Sequence, residues 1–330
     1  MIIQSGIYPK YDLCSQEDLY FRFNEKCRLD SSYERIVLER KGKIWTDTYF
    51  NSLSVGKWKR HTTLKQLTFA LIFRGRIKIK WQLHRAHHQF RVLAEHILEQ
   101  QTLSDVHIPL EFWQWCDVED GMLFFEIEAL TSSTISHFYY ETSDAVAQSV
   151  KLGIVITHYN RAQFVLPAIE RIKTQLLQLP EFRDKVSLFV IDNSQNLPER
   201  ADLAHESIHI IKNRNLGGSG GFMRGLLAVK DGEYTHCLFM DDDASCEVES
   251  IKRSIALLSF FKDPKTAISG ALLRSVEKFR QFENGARFDG ICHQIKGGGI
   301  YVISQLFCLT NWKKRSITVH GGFLPFLSAI

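Results

Sequence analysis

The hydrophobic period changes once along this 330-residue chain, near residue 150, and that change limits the possible folds more than any other feature. Before it, Ile77, Ile79 and Trp81 alternate with Lys78, Lys80 and Gln82, and Phe125, Ile127 and Ala129 alternate with Glu126 and Glu128. A period of two marks strands with one face in a core. Leu67 to Arg74, ended by Gly75, and Thr134 to Tyr140 read as further strands. Short strands rich in Phe, Tyr and Trp with turn residues between them predict an all-β sandwich over residues 1–148.

After the change the pattern becomes strand, turn, helix. LGIVIT (Leu152 to Thr157), VSLFVID (Val186 to Asp192), SIHIIKN (Ser207 to Asn213) and THCLFMDDD (Thr235 to Asp243) are apolar runs that end in polar residues, as buried parallel strands do. Between them Val165, Ile169, Ile172 and Leu176 share one helical face, Leu226 and Val229 mark a second helix, and Val248, Ile251, Ile255, Leu258 and Phe261 a third. Residues 149–296 are therefore expected to form an α/β unit, a Rossmann-like and mostly parallel sheet with ligands at the carboxyl ends of its strands.

Composition narrows the function classes. Lys+Arg 41 against Asp+Glu 37 leaves a formal charge of +4, so nothing in the charge balance points to nucleic acid. Seven cysteines without a CxxC pair fit reduced thiols rather than a disulfide or zinc framework. The first residues carry no basic region followed by an apolar run, and no stretch approaches the ~20 apolar residues of a membrane helix. The expected location is cytoplasmic, with peripheral association at the inner face of the cell membrane as a variant.

The strand ends carry the chemistry. In the extended segment Asp241–Asp242–Asp243, the first and third side chains point the same way and can share one hard divalent ion while Asp242 faces elsewhere. A solvated acidic turn, with Asp243 or Ser245 capping the next helix, is the plainer reading. NLGGSGGFMRG (Asn215 to Gly225) follows a strand and opens a helix, where glycine amides can approach a phosphate. THYNR (Thr157 to Arg161) offers an arginine for a phosphate or stacked base, and IDNSQ (Ile191 to Gln195) offers Asp192 to a ribose or base; singly, each also suits an ordinary turn. HRAHH (His84 to His88) lacks carboxylate or thiol partners at useful spacing and reads as a polar loop. The basic residues Lys57, Lys59, Arg60, Lys65, Arg74, Arg76, Lys78 and Lys80 read as a solvated sandwich face on alternating strand positions.

GIVITHYNR, FVIDNSQN, NRNLGGSGGFMRG and LFMDDDAS, in that order, resemble family 2 glycosyltransferases of the GT-A fold, most closely the bacterial galactofuranosyltransferases that extend galactan. TDTYFNSLSVGKW (Thr46 to Trp58) looks like that family's N-terminal β-sandwich, and the likeness runs from about residue 5 to residue 296. The resemblance implies donor contacts at Arg161, Asp192, Asn215, Gly217, Gly218 and Asp242, with Asp241 and Asp243 holding Mn²⁺ or Mg²⁺ on the diphosphate. It further implies inverting transfer of galactofuranose from UDP-galactofuranose to a glycan or glycolipid acceptor. A donor-binding or glycan-binding remnant without activity, and a phosphoryl or nucleotidyl transferase, are the alternatives.

The family's catalytic base lies in a segment expected beyond Gly299, and no carboxylate from Glu247 to Asp289 stands in its context, so no catalytic residue is assigned and His293 and His320 are not substitutes. Read one base out of frame, Gly299 through Ile303 and Ser316 to Phe323 can encode the family pattern that is missing. Residues 297–330 are therefore expected to be an out-of-frame tail following a frameshift in the run Gly297 to Gly299, with no partner in the fold for its apolar residues. Sequencing the gene downstream should reveal a continuous family sequence in the shifted frame; its absence would remove this expectation.

Overall fold

The computed structural model describes the chain except residues 11–12, 14–16, 31, 33, 86–89, 199–202, 271, 274–280, 290, 297–317, 320–326 and 330. The first ten strands are β1 (Ile2–Ser5), β2 (Arg22–Phe23), β3 (Cys27–Asp30), β4 (Arg35–Leu38), β5 (Lys43–Trp45), β6 (Leu53–Ser54), β7 (Thr68–His84), β8 (Arg91–Pro109), β9 (Met122–Ala129) and β10 (Ser133–Glu141). They pair antiparallel in the order β2-β5-β9-β7-β10-β4-β3, with β1 on β10, β6 on β9 and β8 on β7.

Pairing makes this one ten-stranded sheet rather than two separate ones, and the reason is β7. Its first half pairs with β10 and its second half with β9, while β8 follows it almost throughout. Gly75, expected to end a strand, instead sits inside one: the ladder shifts between Phe73 and Gly75, and the residue holds φ 109°, which a side chain would strain. The strand bends enough that Phe69 and Trp81, roughly 40 Å apart along a straight strand at ~3.3 Å per residue, bring their rings to 5.5 Å. Phe69, Phe125 and Phe138, from three strands, then meet at 4.9–6.1 Å, so the halves of the sheet face each other across an aromatic core.

The basic run divides differently from the expected single face. Lys57, Lys59 and Arg60 lie on helix α1 (Val55–His61), with Lys57 buried. On β7, Arg76, Lys78 and Lys80 reach across the hairpin to Glu99 and Glu95 on β8 at 2.6–3.7 Å. Such exposed pairs fix register more than they stabilise. His87 and His88 lie outside the described residues, while the His84 ring meets Phe90 at a tilt, with centroids 4.4 Å apart. The free thiols among the described residues are Cys27, Cys116, Cys237 and Cys246.

The second unit is a parallel sheet of β11 (Leu152–His158), β12 (Val186–Asp192), β13 (Ile208–Lys212) and β14 (His236–Asp241), in the order β13-β12-β11-β14. Helices α2 (Ala162–Ile172), α3 (Gly217–Asp231) and α4 (Val248–Phe260) connect or follow these strands. Leu327–Ala329 adds an antiparallel strand beside β14, so this part of the expected tail does have a backbone partner. Gln281–Phe288 pairs with Leu272–Leu273 and Cys292–Lys296 in a small antiparallel sheet.

Helix α4 joins the two units. Apolar on one face in the sequence, it is buried nearly all round, since Ser250, Arg253, Ser254 and Ser259 are inside as well. Arg253 Nη1 donates to the Phe50 carbonyl at 2.7 Å, Nη2 donates to the Ser5 carbonyl, and Nε meets Glu249 Oε1 at 3.3 Å. Glu249 in turn accepts from the Ser5 amide at 2.7 Å, and Lys10 pairs with Glu247 at 2.9 Å. Burial pushes the Glu249 carboxyl above its ordinary range, and Arg253 opposes that shift. Replacing Arg253 with Ala leaves a buried carboxylate without its counter-charge and takes a donor from two carbonyls, so unfolding in urea should show a loss of about 3–5 kcal/mol. A loss below about 1 kcal/mol would mean that this buried cluster does not join the units.

Candidate active site

The sheet order places a topological switch at β11, whose neighbours β12 and β14 are reached by connections running to opposite sides. Parallel register aligns the strand ends: His158 stands opposite Asp192, and Thr157 opposite Asp241. With strands ~4.8 Å apart, polar residues from three distant segments therefore share one edge.

Glycine brings the fourth segment in. A Cβ on Gly221 would lie 2.0 Å from Thr157 Oγ1, and one on Gly225 would lie 2.2 Å from Val155 Cγ1, so α3 can rest directly on β11 only with glycine at both positions. Gly217 and Gly218 behave differently, being exposed with open space where a Cβ would stand. They form the first turn of α3, and Asn215 Oδ1 accepts from the Gly217 amide at 3.0 Å. Gly217 and Gly218 stand out in the sequence and the packing pair does not, because a glycine-rich string does not show which members touch the sheet.

Asp242 is buried and Asp243 exposed, yet Arg161 Nη1 donates to both, at 3.1 Å to Asp242 Oδ1 and 2.7 Å to Asp243 Oδ2. Asp241 is exposed at the end of β14. Partial burial of its carboxyl, then repulsion from Asp243 and Asp242, pushes it above the ordinary carboxylate range, with Arg161 opposing. The cap of α4 is Glu247, which accepts from the Glu249 amide, rather than Asp243 or Ser245.

The donor set is acidic and hard. One guanidinium against the three carboxylates leaves negative charge uncompensated, and the oxygens are hard donors. Among the described residues no group of three or more His, Cys, Asp or Glu side chains could hold an ion unaided. Mg²⁺-like ions commonly take one or two carboxylates and complete their shell from phosphate and water.

Asp192 lies in the wall of a cleft of about 860 Å³ lined also by Leu197, Pro198, His205, Ile208 and Lys212. Its own loop engages both oxygens: Oδ1 accepts from the Ser194 amide at 3.0 Å and hydroxyl at 2.8 Å, and Oδ2 accepts from the Leu197 amide at 2.9 Å. Burial alone would raise this carboxyl, but these bonds and the adjacent His158 imidazole hold it below the usual range. Its turn-forming role and its place in the cleft wall therefore coexist. Asn160, with φ 53°, passes its amide to Ser194 Oγ at 3.1 Å and accepts from Asn196 Nδ2 at 2.9 Å, joining the loops after β11 and β12.

The family model for glycosyl transferase family 2 matches residues 153–320, half of the chain, and the model for the galactofuranosyltransferase 2 N-terminal domain matches residues 15–142. The first of these reaches into the segment expected to be out of frame. A galactofuranosyltransferase of Mycobacterium tuberculosis is 26% identical over 241 residues, covering 70% of this chain and 37% of the relative. One of Mycolicibacterium smegmatis is 22% identical, covering 70% and 36%. The chain thus spans little more than a third of the length of the curated relatives it matches. Among solved structures, mannosyl-3-phosphoglycerate synthase from Rubrobacter xylanophilus aligns at 16% identity over 39% of this chain and 42% of its own, with a TM-score of 0.29, too low to add weight. Matched from β11 through all four strand ends that form the site, the chain belongs to glycosyltransferase family 2.

Proposed function

We propose that this chain binds UDP-galactofuranose in a GT-A domain and serves transfer of its sugar to a hydroxyl of a glycan or glycolipid. What carries the reading is the meeting of Arg161, Asp192 and Asp241 to Asp243 at one sheet edge, in a family 2 member whose first domain matches a galactofuranosyltransferase model. Asp192 and the cleft beside it take the nucleoside. Asn215, Gly217, Gly218 and the start of α3 lie toward the diphosphate, where the amides of a first helical turn and the helix dipole favour anions. Asp242 lies near the sugar. Asp241 and Asp243 would hold Mn²⁺ or Mg²⁺, which when bound supplies positive charge to the departing diphosphate.

Arg161 has a part in the same electrostatics. It is the counter-charge to Asp242 and Asp243, and its side chain is 48% exposed. The half of this contact made with Asp243 is solvated and worth little, so the guanidinium can turn to a phosphate once another cation neutralises the aspartates. Inverting transfer needs a base to take the acceptor's proton as its oxygen attacks the anomeric carbon and the bond to UDP breaks; that base is assigned to the family segment expected beyond Gly299. A glycolipid acceptor would bring the protein to a membrane face as a peripheral partner, and no helix among the described residues is long and apolar enough to cross one.

Calorimetry with UDP, with and without Mn²⁺, tests the site. Metal-dependent binding is expected, weakened at least about tenfold by Asp243→Ala, a loss of about 1.4 kcal/mol. Absence of UDP binding, or binding indifferent to Asp243→Ala, would overturn the donor assignment.

A further inference from the structure

Resting on that donor reading, we propose that His158 is a positioning residue for Asp192, holding the carboxylate from beneath the cleft. His158 ends β11, where Val155 and Ile156 are buried apolar residues, and it is itself 2% exposed. A buried imidazole without a hydrogen bond is costly, and an apolar residue there would avoid the cost. Among the described residues neither ring nitrogen has a hydrogen-bond partner. The close polar contact is Asp192: Nε2 lies 3.0 Å from Oδ1, with the two side chains 0% and 1% exposed. The ring meets the carboxylate off its N–H axis, a close polar approach rather than an aligned bond.

Two backbone bonds join the strand ends here, and one of them involves His158. Its carbonyl accepts from the Asn193 amide at 3.1 Å, and the Asp192 carbonyl accepts from the Asn213 amide at 3.0 Å, linking the ends of β11, β12 and β13. Ser194 and Leu197 hold the carboxylate from the loop side, and the imidazole backs it from the strand. A carboxylate held on both sides presents its remaining lone pairs to a nucleoside in one orientation, which lowers the reorganisation that binding requires. His158 touches Asp192 without lining the cleft.

The test is a double-mutant cycle on UDP affinity in the presence of Mn²⁺, using the full chain. His158→Phe should weaken UDP binding roughly tenfold, as loss of an orienting outer partner does in metal sites. The double variant His158→Phe, Asp192→Asn should bind no more weakly than Asp192→Asn alone, because His158 acts through Asp192. His158→Gln, which keeps a polar group beside the carboxylate, should recover part of the loss. Effects that simply add, or an unchanged affinity in His158→Phe, would overturn the proposal. Because a buried substitution can unfold the chain, imidazole ¹⁵N resonances of the otherwise unmodified protein give a second reading. The His158 signal should move in Asp192→Asn, and an unmoved signal would overturn the pairing. If the pairing is seen but the unmodified protein does not bind UDP, the donor reading falls and the pair stands as architecture alone, which also overturns a positioning role.

Discussion

A guanidinium buried between two folding units decides where the aspartates can stand. Arg253 donates to carbonyls of Ser5 and Phe50 in the β domain and meets Glu249 within its own helix, while Glu249 accepts from the Ser5 amide. Helix α4 opens at Val248, shortly after Asp243, so anchoring it also anchors the turn that displays the carboxylates. A buried ion pair is weak evidence for net stability, since desolvation offsets much of its attraction. Its geometric effect is less ambiguous: a planar fork bonded to two backbone carbonyls of another unit tolerates little rotation. The β domain thus acts on the site through α4 without placing a residue among the aspartates.

Electrostatic tension at the sheet edge follows from that anchoring. Asp241, Asp242 and Asp243 are adjacent in the chain and cannot separate, and the upward shift of Asp241 reflects partial burial together with repulsion from the other two. Arg161 relieves the two it reaches, and it comes from the loop after a different strand. The charge balance near the carboxylates therefore depends on β11 and β14 staying in register, which the unbroken parallel ladder from Leu152 to Thr157 maintains.

Much of this was legible in the residues, and the failures have physical causes. Strands with one buried face announced themselves by alternation, as β7, β9 and β10 did. Strand β8 did not, because its residues are mostly exposed on both sides and Val92, Ile97 and Leu103 interrupt any clean pattern while pointing outward. Gly75 looked like a terminator because a bulge and a strand end use the same residue for the same reason, a backbone angle closed to side chains. The strand ends were found through their carboxylates and glycines, whereas His158 passed unnoticed: a single histidine after an apolar run carries no spacing signal, and only the register opposite Asp192 gives it meaning.

The glycine cluster shows why a motif can locate a site yet misassign its members. Gly217 and Gly218 stand in open space, so a side chain at Gly218 would meet no atom, and at Gly217 the φ of 74° is the obstacle. Gly221 and Gly225 are closed by β11 side chains, and Gly153 is closed reciprocally by Val229 of α3, a Cβ there falling 2.4 Å from Cγ2. Helix and strand thus approach through small residues on both sides, and that approach sets the height of the helix N-terminus above the strand ends. A phosphate-binding turn needs both classes, one to expose amides and one to bring them down to the sheet. Substitution at the packed pair should therefore displace the exposed pair as a body, so loss of ligand at this helix end does not by itself identify the glycine that touches it.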